Sequence, residues 1–286
     1  MDYKKFLPQR KQNSHKGTFG KILNIAGSKN FQGAAYLSSV SALKIGAGYV
    51  MLACPEEIVP NIASLSPDIT FLPLPESVLQ KISLIEKNLH KFDVISLGCG
   101  LGNDMRTVLF AEKILNLLCG FDFPVVLDAD GLNAVSFMGI KKLPPNTIIT
   151  PHEVEMARLL GITTEEISVN REFFAKEACK KFNCITVLKG HGTIICTPEG
   201  DYITNLTGNS ALAKAGSGDV LTGMISGLMA QGCKAFEAAA LGVYLHGFCA
   251  EEASRKMSEY SVLASNLLDF IPNSVTKILQ TSKFSD

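Results

Sequence analysis

Residues 207–221 read TGNSALAKAGSGDVL, in which three glycines (Gly208, Gly216, Gly218) and small side chains surround one acid, Asp219. Immediately afterwards Val220, Leu221, Met224, Ile225, Leu228 and Met229 recur at helical spacing. Glycines allow positive φ and close approach to a ligand. The free N–H groups and positive dipole end of a helix start favour an anion. A bound phosphate would repel a carboxylate placed there. Asp219 therefore suits another task, taking the proton from a hydroxyl that reacts at phosphorus. The same letters also suit a plain glycine-rich turn with Asp219 as helix N-cap. A glycine-rich loop alone is a weak signal, so the choice between the two rests on the remainder of the chain.

Other chemistry-bearing residues stand where short apolar runs end. The run 21–27 closes at Gly27 and is followed by a loop holding Gly33-Ala34, then a helical pattern over 35–45. Residues 49–54 and, more weakly, 68–74 read as strands, and 77–90 as a helix. The run 93–97 leads directly into Gly98-Cys99-Gly100-Leu101-Gly102. After a helix at 109–118, residues 124–131 form a strand ending in Asp128 and Asp130. These acids would face opposite ways if the strand continued, so at most one need face a site, the other capping the next helix. The run 147–151 leads into His152-Glu153-Val154-Glu155, where His152 and Glu155 share one side of a first helical turn; His152 as a structural cap is the plainer reading. A helix over 169–181 and a strand over 184–190 ending in Lys189-Gly190 follow.

The period then changes. Residues 192–197 and 201–205, joined by Pro198-Glu199-Gly200, predict a β-hairpin. A long helix over 235–257 containing His246 and a last helical segment near 263–270 complete the chain. The strand–helix alternation predicts an α/β fold, three layers around a mostly parallel sheet with an antiparallel addition. No repeat or linker divides the 286 residues, so one domain is expected, preceded by a basic arm at 1–20.

Composition narrows the function classes. The chain has 27 basic and 27 acidic residues, which leaves no electrostatic footprint for nucleic acid. No apolar run approaches the length of a membrane span, and no signal-peptide core follows the basic N-terminus; a cytoplasmic protein is expected. The eight cysteines lack C-x-x-C spacing and read as small buried hydrophobes. In open α/β sheets, ligands bind beyond the carboxyl ends of the strands. Gathered at that edge, the glycine loops, Asp128 or Asp130, His152, Glu155, Lys189 and Asp219 suit phosphoryl transfer: an anion hole, a lysine near phosphate, acids able to order Mg²⁺, and a base. Neither a G-x-x-x-x-G-K-[ST] P-loop nor a G-x-G-x-x-G fingerprint in the first βα turn is present.

The set HKGTFGKILNIAGS, GAGYV, SLGCGLG, VVLDADGLN, ITPHEVEMARLL, VLKGHGT, GNSALAKAGSGDVLTGMISGL and LHG, in this order over residues 15–250, closely resembles the ADP/ATP-dependent NAD(P)H-hydrate dehydratase family of the ribokinase-like superfamily. The resemblance implies a ribokinase-like α/β/α fold and repair of a damaged cofactor: dehydration of the S-form of NADH hydrate and NADPH hydrate, with ADP or ATP and Mg²⁺. Carried over, Lys189, Gly190, His191, Gly192, Thr193 and Gly218 would contact the nucleotide. Ala34, Gly100, His152 and Asp219 would line the hydrate site, Gly216, Ser217 and Gly218 would form the anion hole, and Glu155 would hold a metal indirectly. It also implies a stand-alone dehydratase without the epimerase domain fused to many relatives, and a homotetramer.

Related vitamin-pathway kinases carry Asn where this chain has His152. Cys99 replaces a usual proline, Gly131 an alanine, Glu153-Val154 a Pro-Gly pair and Ala215 a glycine, and none of these is expected to touch a catalytic group. A small-molecule kinase would keep Asp219 but release a phosphorylated product. A nucleotide sensor would keep 189–193 without needing Asp219.

Overall fold

In the computed structural model, which describes residues 2–280, the apolar runs become strands β1 (Lys21–Ile25), β2 (Tyr49–Pro55), β3 (Thr70–Leu74), β4 (Val94–Leu97), β5 (Val125–Leu127), β6 (Thr147–Ile149), β7 (Ile185–Leu188), β8 (Thr193–Cys196) and β9 (Tyr202–Asn205). They join in one nine-stranded sheet ordered β3-β2-β1-β4-β5-β6-β7-β8-β9. Every pairing from β3 through β7 is parallel, and β7–β8 and β8–β9 are antiparallel. β1 and β4 are neighbours although the chain passes through β2 and β3 between them. The connections therefore lead away from β1 and β4 in opposite directions, which makes this pair the topological switch point of the sheet. Pro73 is tolerated in β3 because that strand is an edge.

Helices α1 (Gln32–Lys44), α2 (Val59–Ala63), α3 (Val78–Leu89), α4 (Met105–Leu118), α5 (Asp130–Met138), α6 (Glu153–Leu160), α7 (Thr164–Val169), α8 (Arg171–Phe182), α9 (Ser217–Ala230), α10 (Ala235–Met257) and α11 (Ala264–Gln280) cover the two faces. The pleat sorts side chains by turns: Val126 enters the core shared with α1, α9, α10 and α11, while Val125 and Leu127 enter the core shared with α3, α4, α5, α6 and α8. This is the predicted three-layer arrangement.

Several boundaries differ from expectation. The helix expected at 169–181 is two helices, α7 and α8, because Asn170 breaks the run and its side chain accepts from Phe173 N. α11 continues past Pro272 to Gln280, since buried Leu267, Leu268, Ile271 and Ile278 keep its apolar face going. α1 begins at Gln32, which puts Ala34 inside a helix and not in the preceding loop. The basic arm is not a loose tail. Tyr3 stacks on Tyr244 at 4.1 Å, Arg10 lies 3.9 Å over the Phe19 ring, and Phe6 and Leu7 pack on the core. Six cysteines are buried, and Cys119 and Cys233 are partly so.

α9 lies across α1 with almost no separation. A Cβ on Gly223 would overlap Ser38 O and Ser41 Oγ of α1, and one on Gly227 would meet Ala42 O at 2.7 Å. This contact sets where α9 begins relative to the sheet. Gly223→Ala should therefore lose about 2–3 kcal/mol in denaturant unfolding, an overpacking cost. Gly139→Ala, whose φ is +62° but whose Cβ would meet nothing within 4 Å, should lose only about 1 kcal/mol.

Candidate active site

The residues expected to do chemistry meet beyond the carboxyl ends of β4 to β7. β7 delivers Lys189 and β5 delivers Asp128, and the Lys189 ammonium donates to Asp128 Oδ1 at 2.7 Å. Glu155 Oε2 lies 3.8 Å from the same ammonium. Thr222, on α9, donates to Asp128 Oδ2 at 2.8 Å. Asp128 is 2% exposed, so it needs both partners. Burial pulls the Lys189 pKa down, but the charges of Asp128 and Glu155 outweigh it and leave it raised. Lys189 is therefore a fixed cation, held by carboxylates and not free for a ligand alone. Its Nζ sits 3.4 Å from where a Cβ on Gly218 would be, beside the glycine loop.

Only one of the two acids after β5 faces this cluster. The strand stops at Leu127, Ala129 turns the chain at φ +48°, and Asp130 enters α5. Its carboxylate accepts from Gly102 N at 2.8 Å, bracing the loop after β4.

The glycine loop ends in Gly216, which is the N-cap of α9 at φ +93°. A Cβ there would also meet Leu37 Cδ1 at 2.7 Å, a side-chain end that can move aside, so it is the backbone angle that requires glycine. Asp219 is the third residue of the helix and makes no cap, contrary to the plainer reading of the sequence. The anion hole is smaller than expected. Ser217 N already donates to Lys214 O at 3.2 Å and its hydroxyl donates to Leu212 O at 2.7 Å, because the chain folds back tightly there. The amides of Gly216, Gly218 and Asp219 remain at the helix start, where N–H groups have no intrahelical partner.

Burial, and next the charge of Asp128, push the Asp219 carboxyl up to about 6; the Cys99 thiol and Lys189 oppose that shift. An acid poised near neutrality is what a general base requires. Cys99 corrects one expectation. The thiol is fully buried, and it, Asp128 and Asp219 offer ligand atoms all within 4.8 Å of one another, so this departure does touch the proposed catalytic group. Burial raises its pKa well above the usual thiol range, which keeps it a neutral donor.

His152 combines both readings given to it. It is the N-cap of α6, with Nδ1 accepting from Glu155 N at 3.3 Å while Glu155 Oε2 accepts from His152 N at 2.8 Å. Its side chain is also 51% exposed toward the cavity. Burial first, then Lys189, lowers its pKa, so the ring is neutral at pH 7. Glu155 is raised chiefly by burial, against the pull of Lys189.

A cavity of about 910 Å³ joins these groups. Asp128, His152, Glu155, Lys189 to Thr193 and Gly216 to Asp219 line it. The opposite wall comes from residues 205–214 and from Val243, His246 and Gly247 of α10. That wall was missed, since irregular polar loops and a helix interior carry no spacing signal. His246 is buried and neutral, its pKa pushed down to about 4 by burial, and its Nε2 has no protein partner among the described residues. Ala34 and Gly100 lie together but do not line this cavity: a Cβ on Gly100 would meet the Ala34 Cβ at 2.7 Å.

Mg²⁺ takes oxygen ligands in an octahedron and keeps several waters. Asp128 has both oxygens engaged by Lys189 and Thr222, and a neutral thiol is a poor ligand for it. Glu155, whose Oε2 already caps His152, suits only a water-mediated hold.

A mostly parallel α/β/α sheet extended by an antiparallel hairpin, with an acid in the first turn of a glycine-capped helix, is the ribokinase-like arrangement. A solved ribokinase-like superfamily protein from Enterococcus faecalis shares this fold with a TM-score of 0.86, over 97% of this chain and 94% of its own, at 24% identity. Residues 22–273 match the family model described as NAD(P)H-hydrate dehydratase, and the chain belongs to that family. It is 35% identical to the ADP-dependent (S)-NAD(P)H-hydrate dehydratase of Bacillus subtilis, over 93% of this chain and 92% of that protein. It is also similar to the crystal structure of the B. subtilis ADP/ATP-dependent NAD(P)H-hydrate dehydratase co-crystallised with ATP/Mg²⁺, with a TM-score of 0.82 at 32% identity, covering 96% of each chain. The chain spans about half the length of the bifunctional NAD(P)H-hydrate repair enzymes that it also matches. Among the described residues, no helix is long and apolar enough to cross a membrane.

Two consequences follow from the charges. The folded-state pKa of Asp219 lies above its unfolded value, so its ionisation weakens the fold as pH rises through about 6. Asp219→Asn should then raise stability by roughly 1–2 kcal/mol at pH 8 and not at pH 4, by denaturant titration at both. Lys189→Met should lower stability by about 3–5 kcal/mol, because it strands Asp128 beside Glu155 in the interior.

Proposed function

We propose that this chain dehydrates the S-form of NADH hydrate and NADPH hydrate back to NADH and NADPH, with ADP or ATP as phosphoryl donor. The observation that carries the reading is Asp219: a carboxyl brought near neutrality by burial, at the start of α9, beside unpaired amides and the Lys189 cation. The nucleotide lies along Lys189, Gly190, His191, Gly192, Thr193 and Gly218. The hydrated nicotinamide ring faces His152 and Asp219; Ala34 and Gly100, expected beside it, lie outside the cavity.

Asp219 takes the proton from the ring hydroxyl, and the resulting oxygen attacks the terminal phosphorus of the nucleotide. The amides of Gly216 and Gly218 hold charge developing on the phosphoryl oxygens. Phosphate then leaves the ring carbon, pushed by the ring nitrogen's lone pair, and loss of a proton from the adjacent carbon restores the double bond. Phosphorylation matters because phosphate departs far more readily than hydroxide. The other product is AMP from ADP, or ADP from ATP; the name of the B. subtilis relative favours ADP. Glu155 is the residue that would hold Mg²⁺, indirectly, and the bound ion would supply charge neutralisation at the nucleotide phosphates. His152, neutral and fixed by its own capping bonds, donates or accepts at the ring without adding charge.

The test follows the near-ultraviolet absorbance of the dihydronicotinamide ring on NADH hydrate with Mg²⁺ and ADP, ATP or no nucleotide. A nucleotide-dependent rise is expected. Its rate should climb with pH through about 6 and then level, because Asp219 acts only when ionised. Asp219→Asn should slow it roughly 10²–10⁴-fold while nucleotide binding persists. Nucleotide binding without any rise, joined to phosphorylation of a small alcohol, would replace this reading with a kinase.

A further inference from the structure

The turn between β7 and β8 carries the residues assigned above to the nucleotide, yet few of its own bonds hold it in shape. Its shape comes from one side chain outside it. Arg171, the first residue of α8, donates from Nη2 to Leu188 O at 3.2 Å and Lys189 O at 3.1 Å, and from Nη1 to His191 O at 2.5 Å and Gly192 O at 3.1 Å. Its Nε lies 3.0 Å from Glu153 Oε1, an ion pair whose angle falls short of a hydrogen bond. Arg171 is 18% exposed and Glu153 32% exposed. Gly190 leaves room for the guanidinium, since a Cβ there would meet Nη2 at 2.5 Å.

We propose that Arg171, anchored by Glu153, is the positioning residue that builds the nucleotide-binding turn and links it to the His152 end of the hydrate site. In a trans peptide the C=O and N–H point to opposite edges of one plane. Drawing the carbonyls of Lys189 and His191 onto the guanidinium sends the N–H groups of Gly190 and Gly192 the other way. Those glycines line the cavity, where an anionic phosphate takes such amides. The positive charge at the carbonyl edge polarises the same peptides and strengthens their donors. The peptide plane before these is fixed already: its carbonyl, of Leu188, bonds Arg171 and its N–H, of Lys189, donates to Pro151 O at 2.8 Å. That bond and the Glu153 pair both run to the segment 151–153 that carries His152. Nucleotide loop and hydrate side are thus braced by one planar fork. A lysine cannot reproduce it, because its ammonium is a compact point charge and has no plane of paired donors.

This inference rests on the functional reading above, so the test begins with binding and not with turnover. ADP with Mg²⁺ is titrated calorimetrically into the wild-type protein, Arg171→Lys, and Glu153→Gln. The expected result is a Kd raised about tenfold or more by Arg171→Lys and a few-fold by Glu153→Gln. In steady state, KM for nucleotide should rise by a like factor while KM for NADH hydrate and kcat change far less. A merely structural role would lower the melting temperature without this split between the two substrates. Equal ADP affinity in wild type and both variants overturns the positioning role alone. Failure of the wild-type protein to bind ADP overturns the nucleotide reading as well. Glu153→Gln keeps the question decidable if Arg171→Lys does not fold, because Glu153 is the more exposed partner and the substitution preserves its size.

Discussion

The buried pair of Lys189 and Asp128 is the constraint on which the site depends. A carboxylate that is almost wholly buried is tolerable only when its charge and both oxygens are answered, and here the answers come from different elements. Lys189 comes from the end of β7 and Thr222 from α9, with Glu155 at the start of α6 beside the same ammonium. Four segments distant in sequence are thereby pinned to one point above the sheet. The net effect is a charge cluster with a cation next to the glycine loop, and the charge of Asp128 adds to the burial that raises the Asp219 pKa.

The position of α9 follows from packing more than from charge. Gly223 and Gly227 allow its backbone to rest on α1, and Gly216 allows the chain to enter the helix at a φ that side chains rarely adopt. Together they place the helix start, with its unpaired amides, at the cavity beside Asp128 and Lys189. Asp219 and Thr222 then fall on the same side of the helix, facing Asp128, one as a reactive acid and one as a structural donor. Stability and chemistry pull in opposite directions at this point. The acid that can act as a base near neutral pH is the one whose ionisation the fold resists.

Much of the architecture was legible because buried parallel strands advertise themselves. Runs such as 93–97 and 184–188 are short, apolar and closed by glycine or a polar residue, and each became a strand of the sheet. The β8–β9 hairpin was legible from Pro198-Glu199-Gly200. Helix limits were less so. Asn170 reads as one polar residue in a helical stretch until its side chain is seen capping α8, and Pro272 reads as a stop until the buried face beyond it is seen. Among site residues, Asp219, His152 and Lys189 carried motif signals. Cys99 looked incidental because nothing in one sequence says which side chains beyond a strand end will touch. Arg171 stood at a helix start with no pattern around it.

Residue type and local spacing determined which elements form and where reactive groups sit along them: strands by apolar runs, helix starts by glycine, Asn and Thr caps, an acid in the first turn of α9. Those are short-range matters of backbone sterics and hydrogen bonding. Tertiary structure alone decided which acid is buried against lysine and which braces a loop, how far Asp219 is shifted, that Ser217 N is already taken, and that Arg171 reaches four carbonyls of another element. Each of these depends on the dielectric and on the distances between groups far apart in the chain, and such quantities exist only once the sheet has brought its strand ends together.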